Sequence, residues 1–267
     1  MLTIILQVLK EQKWALLIYS LVVVGFIWVY TALFPVMQGS IEQMSDLLKA
    51  MPESLTKGMN FDPSLLSSFE GFIGNEKFSI FWIIISAIFV ISMSTNFIAN
   101  EIETGTAEFL LSQPVSRLKI FLGRFFGGSF CLLIFCLISF LSIFPLTAMY
   151  DISIHSDRFL HIIPISFLFV LSVFALSMLF SAIFSEVRKV SFCTSGVLLI
   201  MYVLHISSNL KESLSGLKYY SFFYYFNLND ILINNKINSF TWWVLGGTCV
   251  LCVTIGAFCF HKRDIAV

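Results

Sequence analysis

Six apolar runs, separated by polar segments, organise the 267-residue chain. They cover residues 14–34, 78–99, 120–149, 162–184, 190–207 and 241–260. Each is long enough, or nearly so, to cross about 30 Å of hydrocarbon as a helix. Ahead of the first, residues 1–13 place Leu2, Ile5, Leu6 and Leu9 on one side of a helix and Gln7, Lys10 and Glu11 on the other. That pattern predicts an N-terminal interfacial helix lying along a membrane surface. A signal peptide does not fit, because the following apolar run is too long and lacks a small-residue cleavage site nearby. The third run is overlong and carries Pro145, which predicts a kink or break. The expected fold is all-α, a polytopic membrane protein with six transmembrane helices forming one transmembrane domain over residues 1–267.

Composition supports lipid as the solvent. Hydrophobic residues make up 58% of the chain, charged residues 12%, and there are 30 phenylalanines. A water-soluble fold could not hide that much apolar surface. The formal net charge is zero, which argues against nucleic acid as a partner. Cys131, Cys136, Cys193, Cys249, Cys252 and Cys259 all fall in apolar runs and read as small membrane-core residues. Cys249 and Cys252 form a C-x-x-C, but its place inside a hydrophobic helix disfavours redox or zinc chemistry.

An even number of spans puts both termini on one side. With the termini inside, Lys10, Lys13, Arg117, Lys119, Arg124, Arg188, Lys189, Lys262 and Arg263 crowd short inner segments. Lys49, Lys57, Lys77, Arg158, Lys211, Lys218 and Lys236 are spread over longer outer loops. The positive-inside rule therefore predicts termini on the inner, cytoplasmic side.

The connections differ in character. The outer loop 35–77 shows helical apolar spacing through Ile41, Met44, Leu47, Leu48 and Met51, and again through Leu65, Leu66, Phe69, Phe72 and Ile73. Two short helices on the outer surface or capping a dimer are expected, broken by Pro52 and Pro63; a substrate-receiving loop and a packing lid are both open readings. His155 and His161 have no third ligand nearby and read as solvated loop residues. Residues 185–189 make a tight inner turn. Residues 208–240 are rich in Tyr, Phe and Asn, which predicts a re-entrant or surface helix before the last span.

Residues 101–117, EIETGTAEFLLSQPVSR, lie between two strong apolar runs and are dense in charge, Gly, Thr and Pro. Gly105 and Thr106 can start a short helix with Thr106 as N-cap, and Glu108 suits the helix dipole in its first turn. Phe109, Leu110 and Leu111 supply an apolar patch. Ser112, Gln113 and Pro114 end the helix, since the residue before proline is pushed out of the α region. Ser116 can then cap the next helix, beginning at Arg117.

Glu101, Glu103, Gly105, Thr106, Glu108, Leu110, Leu111, Ser112, Pro114, Ser116 and Arg117 resemble the E-x-E-x-G-T-x-E-x-L-L-S-x-P-x-[ST]-R loop of ABC-2 type transporter permeases. The ending Phe260, Arg263, Asp264 resembles the F-x-x-R-D close of that family, and the stretch 51–72 resembles its outer loop. The resemblance implies that 101–117 carries a cytoplasmic coupling helix between spans 2 and 3, docking on a separate ABC ATP-binding subunit. Glu101, Glu103, Gly105, Thr106, Glu108, Phe109, Leu110, Leu111, Pro114 and Arg117 would make that coupling surface. It further implies a homodimer or a heterodimer with a second permease, contact of residues 1–13 with the ATPase, and export rather than import.

The chain itself carries no Gly-Lys dipeptide and so no G-x-x-x-x-G-K-[ST] phosphate loop. No cofactor is expected here; ATP and magnesium would sit in the partner subunit, and the chain is not expected to be an enzyme. The spans have almost no ionisable side chain away from their ends, which disfavours an ion-coupled transporter. Ser86, Ser92, Ser94, Asn96, Ser139, Ser142, Ser172, Ser177 and Thr194 give a sparse polar lining, most of it read as helix–helix hydrogen bonding. Such a surface suits an amphipathic or hydrophobic cargo such as a peptide, drug or lipid-like molecule. Gly123 and Gly127 form a G-x-x-x-G, read as close packing. The rival readings are a non-transporting sensor or immunity protein, and a membrane-embedded hydrolase, which the separation of Glu101 and Glu103 from His205 disfavours.

Overall fold

The computed structural model describes residues 1–38, 68–74, 76–106, 115–210, 212–232 and 239–263. These form eleven α-helices and one 3₁₀ stretch, and six of the helical segments are long and apolar enough to cross a membrane. No strand occurs among the described residues.

Helix α1 (Leu2–Gln38) runs 37 residues without a break. The expected interfacial stretch and first span are one continuous element, because no helix breaker stands between Lys13 and Trp14. At 1.5 Å per residue it is about 55 Å long, well beyond the hydrocarbon thickness. Its buried stripe, Val8, Gln12, Ser20, Val23, Ile27, Thr31 and Phe34, recurs at helical spacing.

The first-to-second connection ends in α2 (Phe69–Gly74), whose residues are all buried. Phe34 packs on Phe69 and Phe72 at ring distances of 5.3 and 5.5 Å, and Phe69 reaches Phe159 at 6.3 Å. This part of the loop is therefore inserted into the bundle rather than laid on a surface. Three large apolar side chains in six residues explain why: burying each is worth roughly 1.5–3 kcal/mol. The expected helix over 41–51 and the breaks at Pro52 and Pro63 lie outside the described residues.

Helix α3 (Glu76–Phe97) is followed by a turn at Ile98 and by α4 (Ala99–Glu103). Helix α5 (Arg117–Leu141) gives way at Ser142 to α6 (Ile143–Met149). This is the break expected from Pro145, whose missing N–H leaves the Leu141 carbonyl without its helical partner. Helix α7 (Ser156–Ile183) follows a turn in which Asp151 adopts φ +52°. Then come α8 (Val187–Leu210), the 3₁₀ stretch Glu212–Tyr220, α9 (Phe222–Tyr225), α10 (Leu228–Leu232) and α11 (Ser239–Lys262).

Helix α7 is the hub. Its most apolar window is 61% buried, against 17% for α8, and it touches α3, α5, α8, α10 and α11. The aromatic connection before α11 turns inward as a re-entrant piece would. Phe226 stacks on Phe169 at 4.6 Å and on Trp82 at 5.4 Å, and Arg158 Nη1 donates to the Leu232 carbonyl at 2.9 Å.

Small residues let the helices approach. A Cβ on Gly123 would lie 3.0 Å from Ile4 Cγ2, and one on Gly127 would lie 2.8 Å from Val8 Cβ. The G-x-x-x-G thus seats the start of α1 against α5, as close packing. Hydroxyls knit the interior: Ser94 Oγ and Ser177 Oγ are 2.5 Å apart, and Thr194 donates to Ser177 at 3.2 Å. One node thereby joins α3, α7 and α8.

Candidate functional site: the strapped ends of the 101–117 segment

The described parts of the segment 101–117 are the end of α4 with residues 104–106, and residues 115–117. Its central residues Glu108, Phe109, Leu110, Leu111 and Pro114 lie outside the described residues. Its two stems are described, and both are tied into the bundle.

The first stem begins at the turn at Ile98. The Ala99 N–H, freed by that turn, donates to Ser181 Oγ at 3.1 Å, and Ser181 donates to the Ser94 carbonyl at 2.9 Å. Two residues on, Glu101 pairs with Arg124 Nη2 of α5. Glu103 Oε2 accepts the Val187 N–H at 2.7 Å. That N–H opens α8, so Glu103 satisfies an otherwise unpaired donor where a negative charge complements the helix dipole.

The stem then closes on itself. The Thr104 hydroxyl donates to the Asn100 carbonyl at 2.7 Å, and the Gly105 N–H to the Ile102 carbonyl at 3.2 Å. Gly105 has φ +72°, with nothing within 4 Å of where a Cβ would stand. Conformation alone, not space, favours glycine there. The Thr106 hydroxyl donates to the Glu101 carbonyl at 3.3 Å. Gly105 and Thr106 therefore terminate α4; the helix that the sequence predicted them to start, with Thr106 as its cap, falls outside the described residues.

At the second stem Ser116 accepts the Lys119 N–H at 3.4 Å, the expected N-cap of α5. Arg117 donates to the Arg263 carbonyl, just past α11. Arg263 in turn donates to the Ala182 carbonyl at 2.9 Å, the Phe184 carbonyl at 3.3 Å and the Ser185 hydroxyl. It so satisfies the orphan carbonyls at the end of α7. Burial draws its pKa below that of a free guanidinium.

Glu101, Glu103, Gly105, Thr106 and Arg117 are thus brought to one end of the bundle: Glu101 is attached to α5, Glu103 to α8 and Arg117 to the residue after α11, with Ala99 tied to α7, while Gly105 and Thr106 bond within the first stem. Arg124 and Arg263 complete the arrangement, although the sequence reading took them only as positive charges and a family-like tail. The signal for Arg124 was present: a cation flanked by Phe125, Phe126 and the glycines at 123 and 127.

The opposite end carries a second polar pair. His155 approaches Glu70 Oε1 with both its backbone N–H and Nδ1, each at 2.9 Å. Burial alone would push the Glu70 carboxyl up, but the His155 contacts outweigh it and hold it below its ordinary value. The His155 ring, expected as a plain solvated side chain, is exposed yet engaged. No group of three or more His, Cys, Asp and Glu comes together among the described residues. His205 lies 18 positions along α8 from Val187, about 27 Å from the Glu103 contact.

Between α3 and α8 runs an apolar groove of about 380 Å³, lined by Ile80, Ile83, Ile84, Ala87, Ile88, Ile91, Ser195, Leu198, Leu199, Tyr202 and Phe223.

Six membrane-length apolar helices, with two charged stems tied to one end of the bundle, define a multi-pass membrane protein. The family model described as ABC-2 family transporter protein matches residues 11–265, and the chain belongs to that family. It is accordingly a permease-type membrane component of an ABC transporter. A search of curated proteins gives no match for it.

Proposed function

We propose that the chain is the permease of an ATP-driven exporter whose ATP is hydrolysed by a separate ABC ATP-binding subunit docked on residues 101–117. The observation that carries this reading is the attachment of the two stems to four different helices. Displacement of the segment by nucleotide-driven closure of the partner is delivered to α5 and α8 through Glu101 and Glu103. Through Arg117 and Arg263 it reaches α11 and α7. Ile4 and Val8, seated on Gly123 and Gly127, make the start of α1 move with α5.

The working unit in this reading has two permeases, identical or not, in a plasma membrane, with the motif end and both termini cytoplasmic. ATP and magnesium belong to the partner. The α3–α8 groove supports an amphipathic or hydrophobic cargo, since its walls are almost wholly apolar. Purification of the tagged chain in mild detergent tests the reading. Recovery of an ATP-binding subunit with ATPase activity, lost on alteration of 101–117, is expected. A chain that purifies alone and hydrolyses nothing overturns it.

A further inference from the structure

We propose that Arg124 is a positioning residue for the 101–117 segment, holding Glu101 in a clasp with two settings: one bond in the conformation described, two parallel bonds when α4 and α5 rotate against each other. The inference rests on the reading of 101–117 as the coupling segment, and it names the residue through which that segment grips α5.

Arg124 stands seven residues inside α5, about 10 Å from its first residue. Among the described residues of α3, α5, α7, α8 and α11, no Asp, Glu, Lys or Arg lies further from a helix end. Its side chain is 6% exposed. Its surroundings keep it in place. Gly123 and Gly127 press on Ile4 and Val8 of α1, and Phe125 stacks on Phe174 of α7 at 5.4 Å and 10°. A guanidinium so deeply buried is costly unless paired.

The pairing is incomplete in a specific way. Arg124 Nη2 bonds Glu101 Oε1, while Arg124 Nη1 and Glu101 Oε2 are buried and bonded to no described residue. Arginine and carboxylate commonly meet through two parallel bonds. Here the spare donor and the spare acceptor belong to the same two side chains. Rotation of the stem that brings Nη1 to Oε2 gains a second charge-assisted bond without separating the charges. A single bond is also a pivot, which lets α4 turn while it stays attached to α5. Lysine at this position keeps a charge and one bond but cannot form the planar pair.

Hydrogen–deuterium exchange on the purified chain in lipid nanodiscs tests the clasp directly. Arg124→Met is expected to speed exchange of the amides of residues 99–106 by about tenfold or more, the loss of a buried charge-assisted bond. Arg124→Lys should stay within about threefold of the unaltered chain. Glu101→Gln, which keeps shape and removes charge, serves where Arg124→Met fails to insert and should also speed exchange. In the complex with the ATP-binding subunit, ATP with orthovanadate should alter exchange over 99–106 in the unaltered chain. Arg124→Lys should lose that response while ATP hydrolysis continues, which a merely structural role would not produce. Unchanged exchange in Arg124→Met, or a normal orthovanadate response in Arg124→Lys, overturns the proposal. If no ATP-binding subunit accompanies the unaltered chain, the transporter reading falls, and exchange on the chain alone still decides the role of Arg124.

Discussion

Gly128 sits where α5, α7 and α3 meet, four residues beyond Arg124. A Cβ there would stand 2.5 Å from Phe174 Cζ, 2.9 Å from Phe174 Cε1 and 3.0 Å from Phe97 Cε2. Carbon pairs are most favourable at about 3.5–4.0 Å, so an alanine requires roughly 1 Å of movement. Phe174 is fully buried and stacked on Phe125, so its ring has nowhere to retreat. Overpacking of this kind costs about 1–3 kcal/mol, and more where the neighbour is held on all sides. Alanine recovers about 0.8–1.0 kcal/mol of helix propensity over glycine. With Phe174 held on all sides the steric cost falls in the upper part of that range, about 2–3 kcal/mol, so it wins and Gly128→Ala should destabilise by about 1–2 kcal/mol net. Adding Phe174→Leu removes the ring tip and should recover part of that loss, whereas Phe174→Leu alone destabilises by leaving a void. Unfolding in mixed micelles, followed by tryptophan fluorescence, measures all three variants. Gly128→Ala as stable as the unaltered chain, or strict additivity in the double variant, refutes the reasoning.

Other expectations concern the two ends. Gly105→Ala forces an L-residue to φ +72° and should cost about 1–2 kcal/mol, with Gly105→Asn costing less; thermal midpoints of the purified chain check the order. Glu103→Lys removes the acceptor for the Val187 N–H and reverses the charge at the start of α8, so ATP hydrolysis by the complex should lose its response to the permease while membrane insertion is retained; a normal response counts against the coupling role. The folded-state pKa of Glu70 is depressed, so its pairing with His155 contributes stability above the ordinary carboxyl value of 4.5 that fades as pH falls through the lower folded value. Glu70→Gln should flatten that acid limb in a pH series of melting temperatures. Arg263→Ala leaves the Ala182 and Phe184 carbonyls without their donor and should speed exchange in the last turn of α7.

The long helices were legible because lipid makes a blunt demand: each spanning segment must be apolar and satisfy its own backbone. The Pro145 break and the Ser116 cap followed equally local rules. What pattern could not carry was tertiary. Phe69, Phe72 and Ile73 read as a surface stripe, yet a helix of six residues with three large apolar side chains gains more by entering the bundle. Nothing between Lys13 and Trp14 marks where α1 enters the membrane, and so one helix read as two elements. At the strapped end, the spacing of Glu101 and Glu103 pointed to the segment, but their partners on α5 and α8 lie 23 and 84 positions away. That Gly105 closes α4 is shown only by its φ, while the helix it was expected to open lies outside the described residues. Arg263 appeared as a tail charge, while its role depends on three acceptors near the end of α7.

The central claim, that residues 101–117 receive the movement of an ATP-binding subunit, is tested most directly by a photoreactive side chain at Phe109, in the apolar patch between the strapped stems. Illumination of the complex in native membranes is predicted to give a covalent product between this chain and an ATP-binding subunit, with a yield that changes when ATP and orthovanadate are added. An ATP-binding subunit that accompanies the chain but never cross-links from Phe109, with or without nucleotide, would contradict the account.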